Sequence, residues 1–243
     1  MDYSIKKQIL ANTTFAIVLT AVLSAYCIFW SNYFNKAETI PVATDSSDKK
    51  CVVIDPGHGG EDGGAVGVNG VLEKDLNLSL SEILRTVLKF SGCEVILTRT
   101  EDKLLYDRNS DFAGKKKILD LKGRLQIAND ITPDIFVGIH MNSFPEQKYS
   151  GLSIYYSPNT PESQKAAQLI RENIQLTIQP NNNREIKAAD SNIYILDRTT
   201  CPAILIECGF LSNPEECEKL STYEYQRNLS LVFYSSLVSF LEE

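Results

Sequence analysis

Residues 51–92, CVVIDPGHGGEDGGAVGVNGVLEKDLNLSLSEILRTVLKFSG, read as a strand, a glycine-rich turn and a helix in immediate succession. Cys51 to Asp55 is a continuous apolar run that stops at Pro56-Gly57, the pattern of a strand buried on both faces. Leu76, Leu80, Ile83, Leu84, Val87 and Leu88 then recur at helical spacing, and Ser91-Gly92 closes the helix. A strand buried on both faces needs helices above and below it. This stretch therefore selects an α/β fold.

The pattern continues outward. Glu94 to Thr98 is predicted as a second strand, Leu121 to Asp130 as a helix and Ile135 to His140 as a third strand. Leu152 to Tyr156 reads as a fourth strand, and Ala167, Ile170, Ile174 and Ile178 mark a helix. Ile193 to Leu196 and Ala203 to Ile206 read as short strands. Leu229, Val232, Phe233, Leu237, Phe240 and Leu241 make a closing amphipathic helix. Strands alternating with helices imply an open, parallel or mixed sheet covered on both faces.

The chain contains two histidines, His58 in DPGHGG and His140 in IFVGIHMNS. Each follows or ends a predicted strand, as does Glu207 after Ala203 to Ile206. Ligands in open α/β sheets bind outside the carboxyl ends of the strands, so residues distant in sequence share that address. Glu73, three residues before Leu76, lies on the inward stripe at the start of the first helix. Each residue has a plainer reading: a packed histidine, a first-turn glutamate favoured by the helix dipole, a strand-end carboxylate in an ion pair. Together they suggest His58, Glu73 and His140 around one zinc ion with water in the fourth position, a catalytic ligand set. Glu207 outside that set would be the general base and acid. The glycines of DPGHGGEDGG could instead cradle phosphate, but their spacing matches neither GxxxxGK[ST] nor GxGxxG.

Residues 8–35 carry no charged side chain and are strongly apolar from Phe15 to Trp30, enough for a helix to span about 30 Å of hydrocarbon. A cleaved signal peptide and a core helix are the competing readings. The length of the apolar run, the lack of a small-x-small site and the interfacial Trp30 and Tyr33 favour an uncleaved signal anchor. The expected organisation is an anchor over 1–35, a linker over 36–50 and a catalytic domain over 51–243, outside the cytoplasm. The net charge of −7 argues against a nucleic-acid partner. Cys51, Cys93, Cys201, Cys208 and Cys217 show no CxxC or zinc-finger spacing and read as buried thiols, though a bridge cannot be paired from sequence.

Five motifs occur in order: VVIDPGHGGEDGGAVGVNGVLEKDLNLSL, Thr98-Arg99, GRLQIAN at 123–129, IFVGIHMNS and PAILIECGFLSNPEE at 202–216. Together they resemble the zinc-dependent N-acetylmuramoyl-L-alanine amidases of the Amidase_3 type from about Cys51 to the C-terminus. The resemblance implies a six-stranded mixed sheet flanked by helices, with Zn²⁺ on His58, Glu73 and His140 and Glu207 as catalytic carboxylate. It implies hydrolysis of the amide between N-acetylmuramic acid and L-alanine of the peptidoglycan stem peptide. Asn142, Arg99 and Arg124 also match its motifs and are candidate substrate-binding residues, the two arginines having an equal claim as structural ion-pair partners. One anchor, one catalytic domain, no wall-binding repeats and a lysine-rich insert from Asp111 to Lys122 are most similar to the sporulation amidases. These act in the space between mother-cell and forespore membranes, where stem-peptide removal allows muramic-δ-lactam to form in spore cortex. The connections 144–151 and 179–192 look too short for an autoinhibitory helix, which leaves a partner protein as the candidate regulator. Another zinc hydrolase, such as a peptidase or deacetylase, and an inactive membrane-tethered binding module are the alternatives.

Overall fold

The computed structural model describes residues 3, 13–14, 19–20, 22–26, 49–106 and 114–242. Residues 1–46 and 47–243 are separate compact units. The expected membrane span and the linker fall mostly outside the described residues. Among those described, no helix is long and apolar enough to cross a membrane.

In the second unit the elements run β1 (Cys51–Pro56), α1 (Glu73–Phe90), β2 (Glu94–Leu97), α2 (Lys116–Ile131), β3 (Ile135–Asn142) and β4 (Ser153–Tyr156). They continue with α3 (Pro161–Thr177), β5 (Lys187–Ala188), α4 (Tyr194–Arg198), β6 (Ala203–Phe210), α5 (Pro214–Leu220) and α6 (Tyr223–Glu242). The sheet order is β2-β1-β3-β6-β4-β5. Every neighbouring pair is parallel except β4 and β6, so the sheet is mixed.

Side chains alternate across a strand, which gives each sheet face its own core. Val52 and Ile54 join Leu80, Leu84, Leu88 and Phe233 on one face, where α1 and α3 both pack against α6. Val53 and Phe136 join Ala128 and Leu196 on the other, where α2 packs against α4. Each fully buried leucine of α1 contributes roughly 1.5–3 kcal/mol. The α1 N-terminus has no side-chain cap. The Glu73 and Lys74 N–H groups donate instead to Ala65 O at 2.9 Å and Gly63 O at 3.2 Å, so the glycine-rich turn satisfies donors the helix leaves free.

The sheet has the expected six strands, but one is elsewhere. Ile193 to Leu196 does not form a strand; it lies in the short helix α4, and the sixth strand is Lys187–Ala188. A four-residue apolar run cannot separate strand from helix by period alone. Here the Ile193 N–H donates to Asp190 O and the Asn192 N–H to Asp190 Oδ1, a turn that starts the helix. The 179–192 connection holds β5 and no helix.

Candidate metal centre and active site

The carboxyl ends of β1, β3 and β6 lie side by side, with Asp55 in register with Gly138 and His140 in register with Glu207. Just beyond this point one residue of β3, Met141, faces two of β6, Cys208 and Gly209, because His140 pairs with Glu207 but Asn142 with Phe210. Such a bulge bends the strand and redirects side chains at its tip.

Glu73, buried at the first position of α1, is the centre of the cluster. Its Oε1 lies 3.2 Å from His58 Nε2 and 3.0 Å from His140 Nδ1, and accepts the Met141 N–H at 3.1 Å. Its Oε2 accepts the Ala65 N–H at 2.8 Å. Asn77, one helical turn on, donates to Gly57 O at 3.2 Å and to Glu73 Oε1 at 3.4 Å. The two imidazole centroids are 5.1 Å apart, and one donor atom from each of His58, Glu73 and His140 lies within 4.8 Å of the others. Donors about 2.0–2.1 Å from a tetrahedral zinc stand a little over 3 Å from one another, and two imidazoles with one carboxylate are its ordinary partners. The residues present fit the ion.

Close approach explains two of the glycines. A Cβ on Gly57 would sit 2.2 Å from Cε1 and 2.3 Å from Nε2 of His140. Gly64 has φ of +68°, and a Cβ there would meet Glu73 Oε2 at 2.5 Å and His58 Cδ2 at 2.8 Å. His58 itself adopts φ of 61°, a left-handed conformation uncommon outside glycine. Its carbonyl is held there by Arg124 Nη2 at 2.7 Å.

Arg99 and Arg124 are buried behind the glycine-rich turn. Both are 2% exposed. Arg99 donates to Pro56 O, Gly57 O, Lys74 O and Glu101 O. Arg124 pairs with Asp55 at 2.6 Å and Asp120 at 2.7 Å while donating to Pro56 O and His58 O. These bonds fix the turn that carries His58, which is the structural ion-pair role the sequence allowed for both arginines. Asn142 is half-buried at the end of β3, beside the cluster.

Charge follows geometry. Burial opposes ionisation of Glu73, but hydrogen bonds to His140 and His58 hold its carboxyl well below the usual range. Burial likewise opposes the charged form of His58, yet Glu73 and Asp62 raise its pKa. Asp62 Oδ2 lies 3.0 Å from His58 Nδ1. Its sequence signal was the i+4 spacing from His58 within the same turn, and Asn77 repeats that spacing from Glu73. Neither was anticipated. Glu207 Oε2, like His58 Nδ1 and Asn77 Oδ1, is buried with no hydrogen-bond partner among the described residues. Burial and the nearby Glu73 charge raise its pKa, opposed in part by His140. A carboxyl with a raised pKa beside a metal cluster suits proton transfer near neutral pH.

A family model described as N-acetylmuramoyl-L-alanine amidase (Amidase_3) matches residues 52–237. The germination-specific N-acetylmuramoyl-L-alanine amidase of Bacillus subtilis is 34% identical over 194 residues, covering 80% of this chain and 81% of that protein. Among solved structures, the CwlD amidase of Clostridioides difficile in complex with the GerS lipoprotein superposes with a TM-score of 0.75 at 36% identity, covering 80% of this chain and 99% of that one. The amidase AmiC2 of Nostoc punctiforme superposes with a TM-score of 0.69 at 31% identity, covering 81% and 99%.

Proposed function

The chain belongs to the Amidase_3 family of N-acetylmuramoyl-L-alanine amidases, and from that premise we propose that His58, Glu73 and His140 hold a catalytic zinc ion beside Glu207. The substrate class is peptidoglycan, and the amide cleaved joins N-acetylmuramic acid to L-alanine, neither a sugar's N-acetyl group nor a bond between two amino acids. Family membership thereby sets aside the deacetylase, the peptidase and the inactive module. The observation that carries the zinc reading is the convergence of the three donors within 4.8 Å, with Glu207 in register beside His140.

Bound there, zinc would supply Lewis-acid polarisation of the carbonyl and lower the pKa of water toward about 7. Glu207 takes a proton from the attacking water and returns it to the leaving nitrogen as the C–N bond breaks, freeing the stem-peptide amine and a lactyl carboxylate. Its unpartnered oxygen leaves it able to accept that proton. Asn142, half-buried at the strand end, is a substrate-binding candidate.

Residues 8–35 anchor the chain in a membrane with the catalytic domain outside the cytoplasm, in a spore former between the mother-cell and forespore membranes. Likeness to a germination-specific amidase and to CwlD supports stem-peptide removal ahead of muramic-δ-lactam formation in spore cortex. The GerS complex of CwlD supports a lipoprotein as the regulatory partner.

Metal analysis and product analysis on muropeptides test the reading. Purified protein is expected to carry one zinc per chain and to release free stem peptide, with release abolished by a chelator and restored by zinc. Zinc-replete protein that releases no stem peptide would overturn it.

A further inference from the structure

A concavity lies beyond the β6 end that carries Glu207. It has a volume of about 930 Å³ and is lined by the 148–151 segment, residues 178–184, α5 and Tyr225. Glu216 builds its inner wall: Oε1 accepts the Gly151 N–H and Oε2 the Phe210 N–H, both at 2.8 Å. The strand end that carries Glu207 is thereby fastened to the cleft. Ser153 is in register with Glu207, and the cleft opens two residues before it, at Gly151. Phe210 lies three residues beyond Glu207 on β6, roughly 10 Å along a strand. An extended peptide covers that distance in about three residues.

Arg184 is the distinctive group. Its Nε donates to Ser150 O at 2.9 Å and its guanidinium stands 4.8 Å over the Phe210 ring. These contacts fix the plane of the fork, while Nη1 and Nη2 make no hydrogen bond among the described residues. Lys148, on the same rim, lies 5.2 Å over the Tyr149 ring and has no ion-pair partner among the described residues. The acidic groups nearby are otherwise engaged, Glu215 with Lys219 at 2.6 Å and Glu216 with the two backbone donors. Of the two, the bonded Glu216 carboxylate is close enough to Arg184 to feel its charge. In a chain of net charge −7, two cations with no ion pair among the described residues leave the mouth of this polar cleft suited to an anion. A fork held edge-on by stacking matches the two oxygens of a carboxylate.

We propose that this cleft is a subsite for a carboxylate of the stem peptide two or three residues from the scissile amide, with Arg184 as its anchor and Lys148 adding charge at the rim. It rests on the amidase reading and extends it to substrate selection: the enzyme would distinguish stem peptides that carry a free carboxylate from those in which it is amidated.

The test uses two soluble muropeptides identical except that one stem carboxylate is free or amidated. Wild-type protein is expected to cleave the free acid with kcat/KM at least about tenfold higher, the size of one charge-assisted contact. Arg184→Gln is expected to bring the ratio near one, chiefly by raising KM for the free acid, and Arg184→Lys to restore part of it. Lys148→Ala, at an exposed position, should lower the ratio by a smaller factor, and serves if R184Q does not fold. Wild type cleaving both substrates equally, or R184Q keeping the wild-type ratio, overturns the subsite and leaves the amidase reading intact. Wild type cleaving neither overturns the amidase reading itself.

Discussion

At the scale of single residues, the centre depends on atoms that are absent as much as on those present. Gly57 leaves the space that the His140 ring fills, so Gly57→Ala must displace the imidazole or the β1 end. We expect zinc affinity to fall by at least about tenfold in a chain that still folds, by analogy with the loss caused by disturbing ligand orientation; titration with a competing chelator measures it, and wild-type affinity would refute the packing argument. Glu207→Gln separates chemistry from binding: zinc content should persist while kcat drops about 10²–10⁴-fold, the range for a lost general acid–base group. Its effect on stability has the opposite sign. Burial raises the folded-state pKa of Glu207 above its unfolded value. The carboxyl's contribution is thus fully present below the unfolded pKa, near 4.3, and is lost as pH rises through the folded one. Above that window the charged, unpartnered oxygen is a cost that glutamine does not carry. Metal-free E207Q should melt a few degrees above metal-free wild type at pH 8, and the gap should close below about pH 4. A gap that is constant with pH would mean that titration of Glu207 is not its cause.

At the scale of elements, one turn and two arginines hold the metal ligands in place. Arg124 on α2 neutralises Asp55 at the end of β1, reaches the His58 carbonyl and shares Asp120 with the Leu105 N–H. Thr98 at the end of β2 donates to Asp55 as well. Arg124→Met would leave two buried carboxylates without an opposite charge, a loss of about 3–5 kcal/mol, or roughly 6–20 °C in Tm for a domain of this size. Thermal melts of metal-free protein read this directly; a change below about 2 °C would show that the network is not structural. These elements also show what the sequence made legible. β1, α1 and β3 could be read because their apolar residues repeat at periods of strand and helix, and the convergence of His58, Glu73, His140 and Glu207 because each sits where such an element begins or ends. Asp62 and Asn77 were missed because their roles come from the turn's closure over α1, which no periodicity reports. α4 was read as a strand because four apolar residues suit either period. β5 was missed because it is two exposed residues long, too short to show a period. The buried ends of Arg99 and Arg124 were likewise a matter of which carbonyls the folded turn presents to them.

At the scale of the molecule, the metal ligands tie together parts that the chain order keeps apart. His58 leaves β1, Glu73 opens α1 on one face of the sheet, and His140 closes β3 at its centre. An ion on all three fastens the glycine-rich turn, a covering helix and the central strand to one point, and binds only when they are assembled. Zinc held on the proposed ligands would therefore stabilise the folded domain by mass action. At a hundredfold excess of free zinc over Kd the increment is about 2.7 kcal/mol, worth roughly 5–11 °C in Tm. Its pH dependence has a defined sign. The ligands bind as neutral imidazoles and a carboxylate, so protons compete with the metal as pH falls, and the raised pKa of His58 brings that competition in above the ordinary histidine value. The difference in Tm between zinc-loaded and chelator-treated protein should thus be largest above pH 7 and shrink toward zero by about pH 5. His140→Ala should remove most of the increment while leaving the metal-free melt close to wild type, since the ring is partly exposed. Calorimetry across pH on both proteins decides the matter: equal melting with and without zinc at pH 7.5, or an increment that H140A retains, would show that the three donors do not act as one site.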